Sequence, residues 1–203
     1  MITLQTRIAT ARFLTDGGIV LMPTDTVWGF HCRADRPEAL KRMRRLKKRS
    51  VNRPFLMLAS SHRQAFRLVR CADRRVLAYA RACWPGPYTL ILPGGMDLEA
   101  EVRAERGTVA VRVPAWETLR KLVAMAGYPL ASTSANVAHR APCRNLESAL
   151  ELFGAGIEAV AELRSGSQGM PMLGRSSALI DVTRWPPRLR RAGPSPMPDW
   201  SAG

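Results

Sequence analysis

Apolar residues recur along this chain in two periods, and the points where one period gives way to the other mark its elements. Residues 4 to 15 carry apolar positions at helical spacing and stop at Asp16-Gly17-Gly18, after which the unbroken run Ile19-Val20-Leu21-Met22 reads as a buried strand. Pro23-Thr24-Asp25-Thr26 breaks that strand. Pro37, at a first helical position after Asp35, opens a helix to about Leu46, and Phe55 to Ala59 forms the next strand. Asp73 is placed to cap a helix that ends at Trp84-Pro85-Gly86-Pro87, where two prolines and a glycine force a turn into the strand Tyr88 to Leu92. Thr108 to Val113 alternates as a strand, Trp116 to Ala126 is helical, and Leu130 to Ser132 is a short strand. Asn145 caps a helix to Phe153, and Ala159 to Leu163, Ser177 to Val182 and Arg188 to Arg190 are the remaining strands. The mixture lacks a strict strand-helix-strand rhythm and any internal repeat. It predicts an α+β fold, a mixed twisted sheet of about seven strands with helices on its faces.

At 203 residues the chain is long enough for one substantial core. We expect a single domain over residues 1–192, followed by a Pro-rich tail over 193–203 that carries Pro194, Pro196 and Pro198 without apolar periodicity. No apolar run approaches the ~20 residues of a membrane span, and the first residues lack the apolar core of a signal peptide, so the expected location is the cytoplasm. Cys32, Cys71, Cys83 and Cys143 are too scattered for a zinc site or a disulfide framework, and read as small buried thiols.

Charge narrows the set of partners. Lys+Arg number 31 against 16 Asp+Glu, a net charge of +15, which favours anionic ligands through long-range attraction. Three of the four lysines lie in one run, Lys41 to Arg53, at the junction between a helix and a strand. Codon bias accounts for the choice of Arg over Lys better than it accounts for the shortage of acids. Such a junction suits a phosphate-rich ligand.

Several polar stretches sit directly against apolar strands. Pro23 to Gly29, PTDTVWG, places two hydroxyls and a carboxylate on a turn; Thr108 and Arg112, four apart on a strand, share one face; and Ser132-Thr133-Ser134-Ala135-Asn136 is dense in small hydrogen-bonding groups. Taken singly, each has a purely local explanation in turns and side-chain-to-backbone bonds. His31, His62 and His139 are isolated and read as surface or satisfied structural histidines. Trp28 reads as core before pocket, and Trp84 and Trp116 as packing residues.

In order, the stretches Gly17-Gly18, PTDTVWG, Lys47-Lys48-Arg49, Trp84-Pro85-Gly86-Pro87-Tyr88-Thr89, Thr108 to Pro114, Ser134-Ala135-Asn136, Ser177 to Asp181 and Arg191-Ala192-Gly193 resemble the YrdC-like family of threonylcarbamoyl-AMP synthases, in its short single-domain form. The resemblance runs over nearly the whole chain. It implies a three-layer α+β fold with a basic cavity, and condensation of L-threonine, bicarbonate and ATP to L-threonylcarbamoyl-adenylate plus pyrophosphate. A separate transferase complex would then modify tRNA. Carried over by position, it implies Lys47 and Arg49 as catalytic triphosphate ligands and Arg53 as a helper. Thr108, Ser132, Ser134, Asn136 and Arg191 would contact the nucleotide, and Thr26, Arg112 and Ser177 the threonine. Mg2+ would accompany the triphosphate without a metal site built from the chain, and no covalent enzyme intermediate is needed. Lys41, Arg42, Arg44 and Arg45 are left as a solvated helix face. The chain departs from the family at Val137 to Arg140, where Ser-Gly is frequent, at Ala178, where a second hydroxyl is frequent, and at Arg53. Two other readings stay open: an RNA-binding module for tRNA or double-stranded RNA, and a paralogue that binds or hydrolyses the acyl-adenylate.

Overall fold

A computed structural model of the chain describes residues 1–48, 50, 53–71, 73–95, 97–104, 106–137, 140–161, 163 and 172–200. Its elements in chain order are β1 (Ile2–Leu4), α1 (Arg7–Thr15), β2 (Val20–Pro23), β3 (Trp28–Arg33), α2 (Pro37–Leu46), β4 (Leu56–Leu58) and α3 (His62–Phe66). There follow α4 (Arg74–Cys83), β5 (Tyr88–Pro93), β6 (Thr108–Arg112), α5 (Glu117–Met125), β7 (Leu130–Ser134), α6 (Leu146–Phe153), β8 (Ala159–Ala161), β9 (Ala178–Asp181) and β10 (Arg188–Arg191). The strands form one mixed sheet in the order β1-β8-β2-β3-β7-β4-β6-β5-β9-β10.

Ten strands stand where about seven were expected, and the differences have local causes. The helix foreseen over 4 to 15 starts at Arg7, capped by the Thr6 hydroxyl, because Leu4 belongs to β1 and pairs in parallel with Ala161. A three-residue strand is too short to show a period. Pro23 does not end the sheet at this point: the chain turns at Thr24–Val27 and comes straight back as β3, with Pro23 opposite Trp28 and Val20 opposite His31. The alternation of Trp28, Phe30 and Cys32 inward is the strand signal in this stretch. The caps foreseen at Asp73 and Asn145 accept the Arg75 and Ser148 amides at 2.9 and 3.0 Å.

Alternation along the strands divides the molecule into layers. One sheet face, with Leu21, Phe30, Met57, Leu90, Val111 and Ile180, is packed by α2, α4 and α6 through Leu40, Met43, Tyr79 and Ala149. Fully buried Phe30 meets Phe153 edge-on at 4.9 Å, and burying a side chain of that size is worth about 1.5–3 kcal/mol. The opposite face is covered only in part: α1 and α5 pack Leu14, Leu119 and Leu122 on Val20, Met22, Leu58 and Leu130. On that face the polar side chains Arg112, Ser132 and Thr89 border a cleft instead of a helix.

The basic run is more structural than its sequence indicates. Arg42, foreseen on a solvated face, pairs with Glu158 at 2.9 Å and donates to the Gly17 carbonyl at 2.7 Å, while Glu158 also accepts the Ile19 amide. These bonds clip α2 to the start of β2. Arg44 donates to the Ser50 carbonyl and lies over the Phe55 ring, whereas Lys41 makes only an exposed pair with Glu38. Beyond β10 the chain crosses α4 and β5, where the Tyr88 and Tyr79 hydroxyls donate to the Pro196 and Pro198 carbonyls and Trp200 meets Trp185 edge-on.

Candidate functional site

The turn between β2 and β3 is wound around one hydroxyl. Thr24 Oγ1 donates to the Val27 carbonyl at 2.8 Å and faces the Thr26 and Val27 amides at 3.1 Å each. Because its proton is committed to Val27, the Thr26 hydroxyl is the donor across the 2.9 Å contact between the two threonines. Thr26 Oγ1 in turn accepts from Arg112 Nη1 at 2.8 Å, so a four-residue turn fixes a group arriving from β6.

Arg112 is held on three sides. Its Nε donates to the Gly86 carbonyl at 3.0 Å, Nη1 to Thr26, and Nη2 lies 2.5 Å from Asp25 Oδ1, both side chains being only 3% exposed. The last contact is close but not directed as a hydrogen bond, so those two atoms have no aligned partner among the described residues. Asp25 Oδ2 accepts the Ala115 amide at 2.8 Å. Burial pushes the Arg112 pKa down, and the Asp25 charge opposes that shift. A guanidinium carries five N–H groups, so this packing leaves part of the fork for a ligand.

Two further groups reach the same cleft from the β9–β10 side. The Ser177 hydroxyl bonds Thr89 at 2.7 Å, and the Ser177 carbonyl accepts from Arg191 Nε and Nη2 at 3.2 and 2.9 Å. Burial of its bonded end lowers the Arg191 pKa, and so does the nearby charge of Arg112. Two like charges turned toward one cleft favour an anion in it. β7 supplies Ser132 and Ser134; the cleft has a volume of about 150 Å3.

Lys47 joins this wall indirectly. It caps the C-terminus of α2, and its ammonium donates to the Asn136 main-chain carbonyl, lies 3.2 Å from Asn136 Oδ1 and sits over the Phe153 ring at 5.0 Å. Ser134 Oγ donates to the same Oδ1 at 2.7 Å. A continuous polar path therefore runs from the end of α2 through Asn136 to the cleft.

Thr26, Arg112, Ser132, Ser134, Ser177 and Arg191 thus share one cleft, and Asn136 and Lys47 extend it. Arg53 is exposed beside Pro54, a wall residue. Thr108 faces the same side as Ala110 and Arg112 but starts its strand beyond the wall. Arg49 lies outside the described residues, as does His139. Sequence reasoning passed over Asp25, Thr24 and Thr89 as ligand-organising groups; the alternation of PTDT was the available signal for the first two. Trp28, Trp84 and Trp116 are buried, as foreseen. His31 corrects its reading: it is not on the surface, since the ring is fully buried, and among the described residues neither nitrogen has a hydrogen-bond partner. Desolvation lowers its pKa to about 3. At the departures, Asn136 Nδ2 holds the Arg140 carbonyl at 2.8 Å, and Ala178 lies under Gly193.

The family model described as "Telomere recombination", the Sua5, YciO and YrdC domain, matches residues 12–193. The chain is 34% identical over 173 residues to the threonylcarbamoyl-AMP synthase of Halorhodospira halophila, which covers 84% of this chain and 91% of the relative. It is 33% identical over 191 residues to that of Pyrococcus abyssi, 94% of this chain but 54% of the relative, so it spans about half the length of that protein. The crystal structure of P. abyssi Sua5 complexed with L-threonine superposes with a TM-score of 0.82 at 30% identity, over 95% of this chain and 57% of the other.

Proposed function

The chain belongs to the Sua5, YciO and YrdC family, and from that membership we propose that it is a threonylcarbamoyl-AMP synthase, a transferase-type enzyme whose substrates are L-threonine, bicarbonate and ATP. The observation that carries this reading is the meeting of Thr26, Arg112, Ser177 and Arg191 at one cleft beside Ser132 and Ser134. In the reaction the threonine amine, having lost its proton, and bicarbonate form a carbamate with release of one water, a carbamate oxygen attacks the α-phosphorus of ATP, and the bond to the β-phosphate breaks to release pyrophosphate. That makes it a nucleotidyl transfer between two anions.

Neutralising their repulsion is the main task, and the cleft supplies it. Arg112 takes the amino-acid carboxylate, with Thr26 and Ser177 beside it, because a guanidinium fork matches a carboxylate. Lys47, Arg49 and Arg53 hold the triphosphate, while Thr108, Ser132, Ser134, Asn136 and Arg191 serve the nucleotide. Among the described residues no three His, Cys, Asp or Glu groups form a metal site; Mg2+ would enter on phosphate oxygens, where it offsets their charge. The adenylate then passes to a transferase complex acting on tRNA. No described helix is long and apolar enough to cross a membrane.

Pyrophosphate release, assayed with threonine and bicarbonate omitted in turn, tests the proposal. Release that needs both supports it. Absence of release, with RNA affinity that falls steeply as salt rises, would make the chain an RNA-binding module. Hydrolysis of supplied threonylcarbamoyl-adenylate without synthesis would make it the paralogue.

A further inference from the structure

One polar group under the cleft has no role in that scheme. His31 lies in the middle of the sheet, fully buried, and among the described residues both ring nitrogens lack a hydrogen-bond partner. Leaving a buried polar group unpaired is costly, and such groups are rare in folded proteins. Desolvation keeps the ring neutral, so it has one N–H to give and one bare nitrogen to receive.

Three observations say which way the ring works. In β3, His31 shares a face with Gly29, two residues earlier, and Gly29 is part of the cleft wall. A Cβ on Gly29 would sit 2.7 Å from the Thr133 carbonyl oxygen and 3.0 Å from His31 Nε2, so the imidazole leans along the strand toward Gly29 and, with that carbonyl, fills the space a side chain would take. Directly opposite His31 in the register with β7 stands Ser132, another wall residue; residues so paired have Cβ atoms about 4.5–5.5 Å apart. The Ser134 hydroxyl, two register pairs further and opposite Gly29, is already spent on Asn136, whereas that of Ser132 makes no hydrogen bond among the described residues. The Met22 main chain lies near the ring without reaching hydrogen-bond geometry. Ser132 Oγ has three staggered χ1 wells open to it, and a hydroxyl on a cross-strand neighbour is a natural partner for the imidazole.

We propose that His31 is a positioning residue for Ser132: the ring N–H turns to the Met22 main chain, the bare nitrogen accepts the Ser132 hydroxyl proton, and Ser132 Oγ presents its lone pairs to an amine or hydroxyl of the bound ligand. No bond is made or broken. The ring stays out of contact with substrate, which its complete burial requires, and acts by fixing the direction of a hydroxyl that otherwise rotates. This rests on the function proposed above. The donor it recognises is the amine of threonine or a hydroxyl or amino group of the nucleotide, two sources that separate titrations distinguish.

The test is a double-mutant cycle read by calorimetry, with L-threonine alone and ATP alone titrated into the full chain. His31→Leu and Ser132→Ala should each weaken the same one of the two ligands by roughly 3–10-fold, the loss of one hydrogen bond, and the double variant should be no weaker than either single one. His31→Gln, which keeps a hydrogen-bonding end, should recover part of the loss. If His31→Leu does not fold, the imidazole nitrogen resonances of the native chain serve instead: they should move on adding that ligand, and stay still in Ser132→Ala. Unchanged affinities in His31→Leu, effects that add, or losses on different ligands would overturn the proposal. A native chain that binds neither threonine nor ATP would overturn the functional reading itself.

Discussion

Asp25 and Arg112 bury opposite charges against one another at the floor of the cleft, and their dependence is unequal. Removing the carboxylate leaves a guanidinium that is desolvated and still charged, so Asp25→Ala should cost about 3–5 kcal/mol in a urea titration, more than the removal of any exposed pair such as Lys41–Glu38. At Lys47 the expected loss is chemical. Lys47→Ala should lower pyrophosphate release at least ~10-fold with little change in unfolding midpoint, since one charge-assisted bond is worth about 1.5–3 kcal/mol; a rate equal to the native one would remove Lys47 from the triphosphate site. His31 gives a pH signature. Its pKa falls from 6.5 to about 3 on folding, so below pH 6.5 the unfolded chain binds a proton that the folded chain refuses. The stability His31 confers when neutral is therefore complete above pH 6.5 and is lost as pH falls toward 3, by at most about 1.4 kcal/mol per pH unit. Urea midpoints measured from pH 7 to 4 should fall less steeply for His31→Leu than for the native chain. Of these residues, Lys47 and Arg112 are legible in the sequence because their motifs carry them. Asp25 is legible only as a carboxylate in the PTDT turn, without its role against Arg112, and His31 only as an isolated histidine, because their importance lies in what surrounds them, and burial has no trace in a residue's own letter.

At the scale of elements, the placing of Arg191 depends on how closely β10 is followed by its neighbour. A Cβ added to Gly193 would lie 2.3 Å from the Ala178 amide nitrogen and 2.9 Å from its Cβ, so the chain leaving β10 runs in backbone contact with the start of β9. Gly193→Ala should push β10 outward and loosen the Arg191 bonds to the Ser177 carbonyl. We expect weaker ATP binding, by roughly 10-fold on the worth of a charged hydrogen bond, with threonine binding little changed, both read by calorimetry. Five of the six described α-helices were legible as elements because amphipathic spacing and capping residues are local properties; α3, at five residues, is too short to show a helical period, although Ser61 caps it. β1 and β3 were missed for a different reason. A three-residue edge strand exists only through its partner β8, and β3 follows a turn whose proline looks, from the sequence alone, like the end of regular structure.

For the whole molecule, the residues after β10 act as an external brace. Met197 packs on the main core, the Tyr79 and Tyr88 hydroxyls are bonded to the Pro198 and Pro196 carbonyls, and Trp185 lies between Tyr79 and Trp200. Ending the chain after Gly193 should expose Trp185 and lower the melting temperature by about 2–4 °C per kcal/mol lost, seen as a red shift in tryptophan fluorescence; an unchanged spectrum and midpoint would show that these contacts carry no stability. The sequence by itself determined the layered α+β architecture, the order of most elements and the basic character of the chain, because periodicity, caps and net charge are properties of the chain as written. Tertiary structure alone decided which polar residues share a cleft, that Arg42 is a clip and not a solvated charge, and that His31 lies neutral and unpaired beneath Ser132. Those facts depend on distances between residues remote in sequence and on the water that folding removes from around them.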